Sequence, residues 1–224
     1  MKITWLGQAG LLFEKDGLTI LIDPYLSDSV SKVNPKNTRR VAVDERFLNI
    51  TPDVIICTHN HLDHTDPETL SHYLKGEKSV VVLAPQAAWQ EVRKFGGPHN
   101  YVRFNRHTEF TFSGICFKSV RAEHTDEHPI GVIIKDEKQQ YYITGDTLYN
   151  TEIFDDIPPD IDILFVPING AGNNMNMTDA ARFSERINPR KVVPLHCGLF
   201  DDIDMNDFSP KNKVIPKIYQ QIEL

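Results

Sequence analysis

The chain has 224 residues, a length that suits one large domain or two small ones and can bury a substantial core. At 40% hydrophobic and 25% charged residues its composition is that of a soluble globular protein, and no apolar run approaches membrane-spanning length. A net charge of −7 leaves no clustered Lys and Arg for a nucleic-acid footprint or a polybasic membrane surface, so a small molecule is the expected partner. Three scattered cysteines, Cys57, Cys116 and Cys197, make no disulfide framework, and the N-terminus has no signal-peptide core; the cytoplasm is the expected compartment. Association with further copies of the chain is left open.

In chain order, the first stretch reads as short strands at Lys2–Trp5, Gly10–Glu14 and Leu18–Asp23, with Lys15-Asp16-Gly17 as a hairpin turn. Pro24 to Val43 is polar without helical or strand period and reads as a long loop, of a length that is usually functional or mobile. A strand at Asp53–Cys57 leads to a helix at Pro67–Leu74, with Asp66 as N-cap, Pro67 at the first helical position and Glu68 in the first turn. A strand at Ser79–Ala84 and a helix from about Pro85 to Phe95 follow. Then come strands at Tyr101–Phe104, Glu109–Phe112, Ile115–Ala122, Ile130–Lys135 and Gln140–Thr144, which read as an antiparallel block. The last quarter has a strand at Asp162–Pro167, a helix at Thr178–Ile187 and a strand at Lys191–Leu195. This order of βαβα units around antiparallel strands predicts two mixed sheets packed face to face, with helices on the outer faces, in one domain spanning residues 1–224.

Between the strand at Asp53–Cys57 and the helix lies Thr58-His59-Asn60-His61-Leu62-Asp63-His64-Thr65-Asp66. Imidazole and carboxylate together suit Zn²⁺, Mn²⁺ or Fe²⁺, and four such groups in six positions can serve more than one ion. If the backbone stays extended past Thr58, His59 and His61 point the same way. Three further strand ends carry acidic or imidazole groups: Glu123-His124-Thr125-Asp126-Glu127-His128, Gly145-Asp146-Thr147, and His196-Cys197-Gly198. A two-metal centre needs about six or seven ligands, more than the first cluster supplies.

These residues resemble the ligand motifs of the metallo-β-lactamase superfamily: His-x-His-x-Asp-His, a later His, a Gly-Asp and a final His, in this order over nearly the whole chain. Within it the chain looks most like the ascorbate-6-phosphate lactonase group, through Trp5-Leu6-Gly7-Gln8-Ala9-Gly10, Thr144–Tyr149, Ile168-Asn169-Gly170, Asn174-Met175-Asn176 and Val192–Gly198. The resemblance implies a four-layer αββα sandwich with metals at one edge between the sheets. Carried over residue by residue, one metal takes His59, His61 and His124; the second takes Asp63, His64 and His196; Asp146 bridges them. Asp23 is expected to order the loops beneath the metals. The implied chemistry is hydrolysis by a metal-bound hydroxide that Asp63 orients, with two divalent ions, Zn or Mn. The implied substrate is a small anionic ester or a sugar-phosphate-like lactone.

Other assignments are less constrained. His128 is a candidate contact to substrate. Asn169, Asn174 and Asn176 are candidate amide donors at the pocket, and Arg39 and Arg40 in the long early loop are candidates to meet a phosphate. His72, His99 and His107 read as solvated. Rival readings are a phosphodiesterase of the same fold, nuclease or phospholipase-like; a di-iron oxygen reductase, disfavoured because His61 stands where those proteins resemble His-x-Glu-x-Asp; and a non-catalytic metal-binding protein.

Overall fold

Alternate side chains along each strand of the first sheet go to different cores. Ile20, Ile22, Val54 and Ile56 join a cluster between the two sheets, while Leu21, Ile55 and Val82 join one beneath the helices. That period of two fixes which face of each strand is inside, and a slip of one residue would exchange the faces.

The computed structural model describes residues 1–224. β1 (Lys2–Gly7), β2 (Gly10–Lys15) and β3 (Leu18–Ile22) form an antiparallel meander. Its second hairpin turns on Asp16 and Gly17, both at positive φ, as a two-residue loop with the right-handed strand twist requires. After α1 (Ser29–Val33) come β4 (Val54–Ile56), α2 (Pro67–Tyr73), β5 (Val81–Ala84), α3 (Gln86–Val92) and β6 (Asn100–Arg103). β3 to β6 are mutually parallel, which completes a mixed sheet in the order β1-β2-β3-β4-β5-β6.

The second sheet holds β7 (Glu109–Phe112), β8 (Ile115–Arg121), β9 (Ile130–Lys135), β10 (Gln140–Ile143), β11 (Ile163–Pro167) and, after α4 (Met177–Ile187), β12 (Lys191–Leu195). Its order is β12-β11-β10-β9-β8-β7, antiparallel through β10 and parallel beyond. The sheets meet through Phe13, whose ring stands edge-on to Tyr141 at 5.5 Å and to Phe165 at 6.0 Å. α2 and α3 cover the first sheet with Leu70, Tyr73, Ala88 and Val92, and α4 lays Phe183 against Tyr142 of the second at 6.2 Å. The result is the expected four-layer αββα sandwich of two mixed sheets.

Two expectations are corrected. The strand near Tyr101 does not start the antiparallel block: it pairs parallel to β5, because α3 returns the chain to the same sheet. The Pro24–Val43 segment is not wholly irregular, since Ser29–Val33 forms a short helix. No helix is long and apolar enough to cross a membrane.

Candidate metal centre

Every candidate ligand enters the site from the end of a strand. β4 delivers His59–His64, β8 delivers His124, β10 delivers Asp146 and β12 delivers His196. The turns that make this convergence are tight. Gln8, Asp23 and His196 adopt positive φ (50°, 43° and 60°), a conformation costly for residues with a Cβ and concentrated at functional sites. Gly145, at φ 62°, leaves no room for a side chain: a Cβ there would sit 2.7 Å from the Ile130 carbonyl oxygen and 3.1 Å from Thr58 Cβ.

The metal loop is curled, not extended. His64 and Thr65 both donate their N–H to the His61 carbonyl (3.0 and 2.8 Å), and the Thr65 hydroxyl donates to the His59 carbonyl (2.7 Å). His59 and His61 still face the same centre, with rings 4.5 Å apart, because this turn replaces the strand geometry that the spacing suggested. Beyond the loop, Asp66 caps α2 as expected, accepting from the N–H of Glu68 and Thr69.

Three overlapping groups of ligand atoms result: His59, His61 and His124; His59, His64 and Asp146; Asp63, His64 and His196. Within each group the atoms lie within 4.8 Å of one another. His61 Nδ1 faces His124 Nε2 at 3.1 Å, and His64 Nε2 faces His196 Nε2 at 3.3 Å. Two nitrogens held tetrahedrally at about 2.0–2.1 Å from one zinc stand about 3.3 Å apart, so both spacings suit a shared cation. Asp146 lies between the groups, with Oδ2 3.1 Å from His196 Nε2 and 3.7 Å from His124 Nε2. His59 Nε2 and Asp146 Oδ1 are buried without a hydrogen-bond partner, a costly arrangement that ligation would relieve. The donor set fits two divalent ions.

A shell of partners orients the ligands, as metal sites require. Buried Asp23 accepts from the Thr58 N–H (2.7 Å) and hydroxyl (2.6 Å), and its Oδ2 holds His64 Nδ1 at 2.8 Å. His124 Nδ1 donates to the Asn173 carbonyl (3.1 Å), turning Nε2 inward. Asn174 donates to Asp146 Oδ2 (2.8 Å) and accepts from the Thr147 N–H (2.9 Å). Gln8 donates to Asp63 Oδ2 at 2.9 Å, and its carbonyl receives the Trp5 indole N–H and the His196 N–H, each at 3.0 Å. Asp23 thus has the supporting role expected of it.

The charges sort the histidines into two kinds. Burial opposes protonation of His64, yet Asp146, Asp23 and Asp63 outweigh it and hold the ring well above the usual imidazole range. His196 is likewise pushed up to about 10, with burial opposed by Asp146 and Asp63. Burial lowers both His59 and His124, keeping them neutral. Asp63 and Asp146 fall below the usual carboxylate range because neighbouring imidazoles outweigh the cost of burial.

A cleft of about 430 Å³ opens over these atoms. Asn169 and Asn174 line it as expected, and so do Gln8, Asn37, Phe200 and Asp201, whose positions the sequence left without a role. The available signal was position in the chain: Gln8 directly follows the first strand, and Phe200 and Asp201 follow His196 by a few residues.

Four candidates belong elsewhere. Asn176 caps α4, accepting from the Asp179 N–H. His128 is exposed on a neighbouring depression beside Arg106 and Arg121. Arg39 donates to the Tyr25 carbonyl (2.9 Å) and Tyr219 hydroxyl (2.7 Å), and Arg40 pairs with Asp202, so neither reaches the cleft wall. Of the histidines expected in solvent, His72 and His107 are exposed, His107 beside Asp156 at 2.9 Å, whereas His99 is half-buried with Nε2 meeting the Leu74 carbonyl at 3.0 Å.

Comparison with known proteins identifies the family and the fold. The family described as "Beta-lactamase superfamily domain" matches residues 2–196. A UPF0173 metal-dependent hydrolase of Carboxydothermus hydrogenoformans is 29% identical over 96% of this chain and 93% of its own. A UPF0173 protein of Pyrococcus furiosus is 30% identical over 93% of this chain and 89% of its own. Igni18, a metallo hydrolase of Ignicoccus hospitalis, shares the fold with a TM-score of 0.78 over 98% of this chain and 96% of that one, at 20% identity.

Proposed function

Because the chain belongs to the β-lactamase superfamily and is a metal-dependent hydrolase of that fold, we propose that it opens small polar esters or lactones at a dinuclear centre of Zn²⁺ or Mn²⁺. The observation that carries this reading is the pair of facing imidazoles, His61 with His124 and His64 with His196, with Asp146 between them at the floor of an open cleft. His59, His61 and His124 would hold one ion and Asp63, His64 and His196 the other, with Asp146 shared.

When bound, the ions supply an acidified water and an electrophile for the oxygen that gains charge. The chain's own groups do the rest. Gln8 fixes Asp63 through Oδ2, which leaves Oδ1 to take the proton of the attacking water. In a lactone the leaving oxygen stays tethered beside that carboxyl group and recovers the proton from Oδ1, so a separate strong acid is unnecessary. Asn169 and Asn174 keep His196 and Asp146 oriented while the acyl carbon passes through its tetrahedral stage. A likeness in reaction type to the ascorbate-6-phosphate lactonases is supported by the phrases around Trp5–Gly10 and Val192–Gly198. Three free cysteines, two of them buried, accord with a reducing cytoplasm.

The test is a screen of protein reconstituted with Zn²⁺ or Mn²⁺ against δ-valerolactone, glucono-1,5-lactone, p-nitrophenyl acetate and bis(p-nitrophenyl) phosphate. Turnover of a lactone or ester, abolished by chelation and restored by metal, is expected. Cleavage of the phosphodiester alone would replace this reading with the phosphodiesterase one.

A further inference from the structure

The cleft above the metal centre is unusually consistent in its chemistry. Sixteen residues line it and none is Lys or Arg. Five carry side-chain amides: Gln8, Asn37, Asn169, Asn173 and Asn174. Gln8, Asn169 and Asn174 are turned toward the ligands, but the side chains of Asn37 and Asn173 have no hydrogen-bond partner within the protein. Asp201, half-buried, is the one charged wall residue outside the ligand set. Its Oδ1 accepts the N–H of Gly198 (2.8 Å) and Ile203 (3.1 Å), which fixes the carboxylate in place. Phe200, beside it, adds an apolar face, and its ring stands edge-on to Tyr25 at 5.8 Å.

From this wall we infer that the cleft selects an uncharged, hydroxyl-bearing substrate and discriminates against a phosphorylated one, an inference that rests on the hydrolase reading above. Phosphate and carboxylate groups remote from the reacting bond are recognised by Arg forks and Lys ammonium groups. The early loop contains such residues, but none lines the cleft: Arg39 is committed to Tyr25 and Tyr219, Arg40 to Asp202 and Lys32 to Glu68, while Lys36 is exposed outside the lining. Two free amides donate to and accept from hydroxyl groups equally well, a fixed carboxylate accepts hydroxyl hydrogens, and an aromatic face meets the C–H surface of a ring. The same carboxylate repels a second negative charge brought within a few ångströms of it. Ions held by the histidines and carboxylates at the cleft floor would attract the reacting carbonyl whatever lies at the other end of the molecule, so selection falls on the residues that meet the far end of the substrate.

A matched pair tests this: glucono-1,5-lactone against its 6-phosphate, which differ only at the far end. The metal-loaded protein should turn over the neutral lactone with a kcat/KM at least about tenfold higher, a modest discrimination of ~1.4 kcal/mol. Calorimetric titration with gluconate and 6-phosphogluconate reads the same selection without turnover, and gluconate should bind at least about tenfold more tightly. Asp201→Asn retains the oxygen that accepts both backbone N–H groups but removes the charge, and it should cut both ratios about fivefold. Equal or better handling of the phosphorylated partner in both assays overturns the inference, as does failure of either sugar acid to bind at millimolar concentration. If neither lactone is hydrolysed but calorimetry keeps the preference, the ester-opening reading fails and the charge selection stands. Ratios unmoved by Asp201→Asn would refute the part assigned to that carboxylate.

Discussion

Around the metal ligands nearly every polar atom has a fixed partner: Asp23 holds His64, Asn173 holds His124, Asn174 holds Asp146 and Gln8 holds Asp63. On the wall of the same cleft, a few residues away, the amides of Asn37 and Asn173 have none. The ligand shell is rigid because its geometry must be right before an ion arrives, and the wall is left unsatisfied because its partners come with the substrate. The difference teaches where to look for each kind of function: buried, over-determined groups for chemistry, and free polar groups on an open surface for selection.

Removing a ligand should break the first region outright. His61→Ala and Asp146→Ala should each lower kcat/KM by about a thousandfold or more, together with metal content, because a water without its cation is no longer acidified. Steady-state kinetics beside elemental analysis checks this, and a variant that keeps its metal while losing activity would separate ligation from chemistry. A smaller loss is expected one layer out. Asp23→Asn removes an acceptor shared by Thr58 and His64 and should weaken zinc binding about 10–100-fold, as competition with a chromophoric chelator would show.

Acid should weaken the same shell. With His196 pushed up to about 10 and His64 well above the imidazole range, protein cleared of metal carries protons on both rings at neutral pH. Zinc must displace them, so binding should release about two protons per chain and tighten as pH rises from 6 to 9. Calorimetry in buffers of different ionisation enthalpy counts the protons, and uptake instead of release would reverse the electrostatic account. The smallest effects belong to the arginines once expected at the substrate. Arg39→Ala should cost about 1.5–3 kcal/mol of stability through its lost bonds to Tyr25 and Tyr219, with kcat/KM unchanged within about twofold. Arg40→Ala, losing an exposed pair with Asp202, should cost about 0–1 kcal/mol in denaturant titration. A KM change in either would return positive charge to the cleft.

The convergence of the candidate ligands was legible in the sequence because their chemistry is local. His59, His61, Asp63 and His64 fall within six positions at a strand end, His196 follows its strand directly, and His124 and Asp146 lie three residues beyond theirs. The sheets were legible for a similar reason, since Asp16-Gly17 marks its hairpin and Asp66-Pro67 its helix start. The placement of β6 was not, because pairing with β5 depends on where α3 returns the chain, a long-range fact with no local mark. Nor was the cleft wall. Arg39 and Asn37 sit two residues apart in one polar loop, and only the fold shows that the arginine turns to Tyr219 while the asparagine faces the site. Asn176 misled for the opposite reason: an amide next to a helix start serves the helix.

The account stands on seven side chains forming two metal sites that share Asp146, and native mass spectrometry of metal-reconstituted protein tests that most directly. Two zinc ions per chain are predicted for the unaltered protein and one for His61→Ala, which retains Asp63, His64, Asp146 and His196. A single ion in the unaltered protein after full reconstitution, unchanged in His61→Ala, would contradict it.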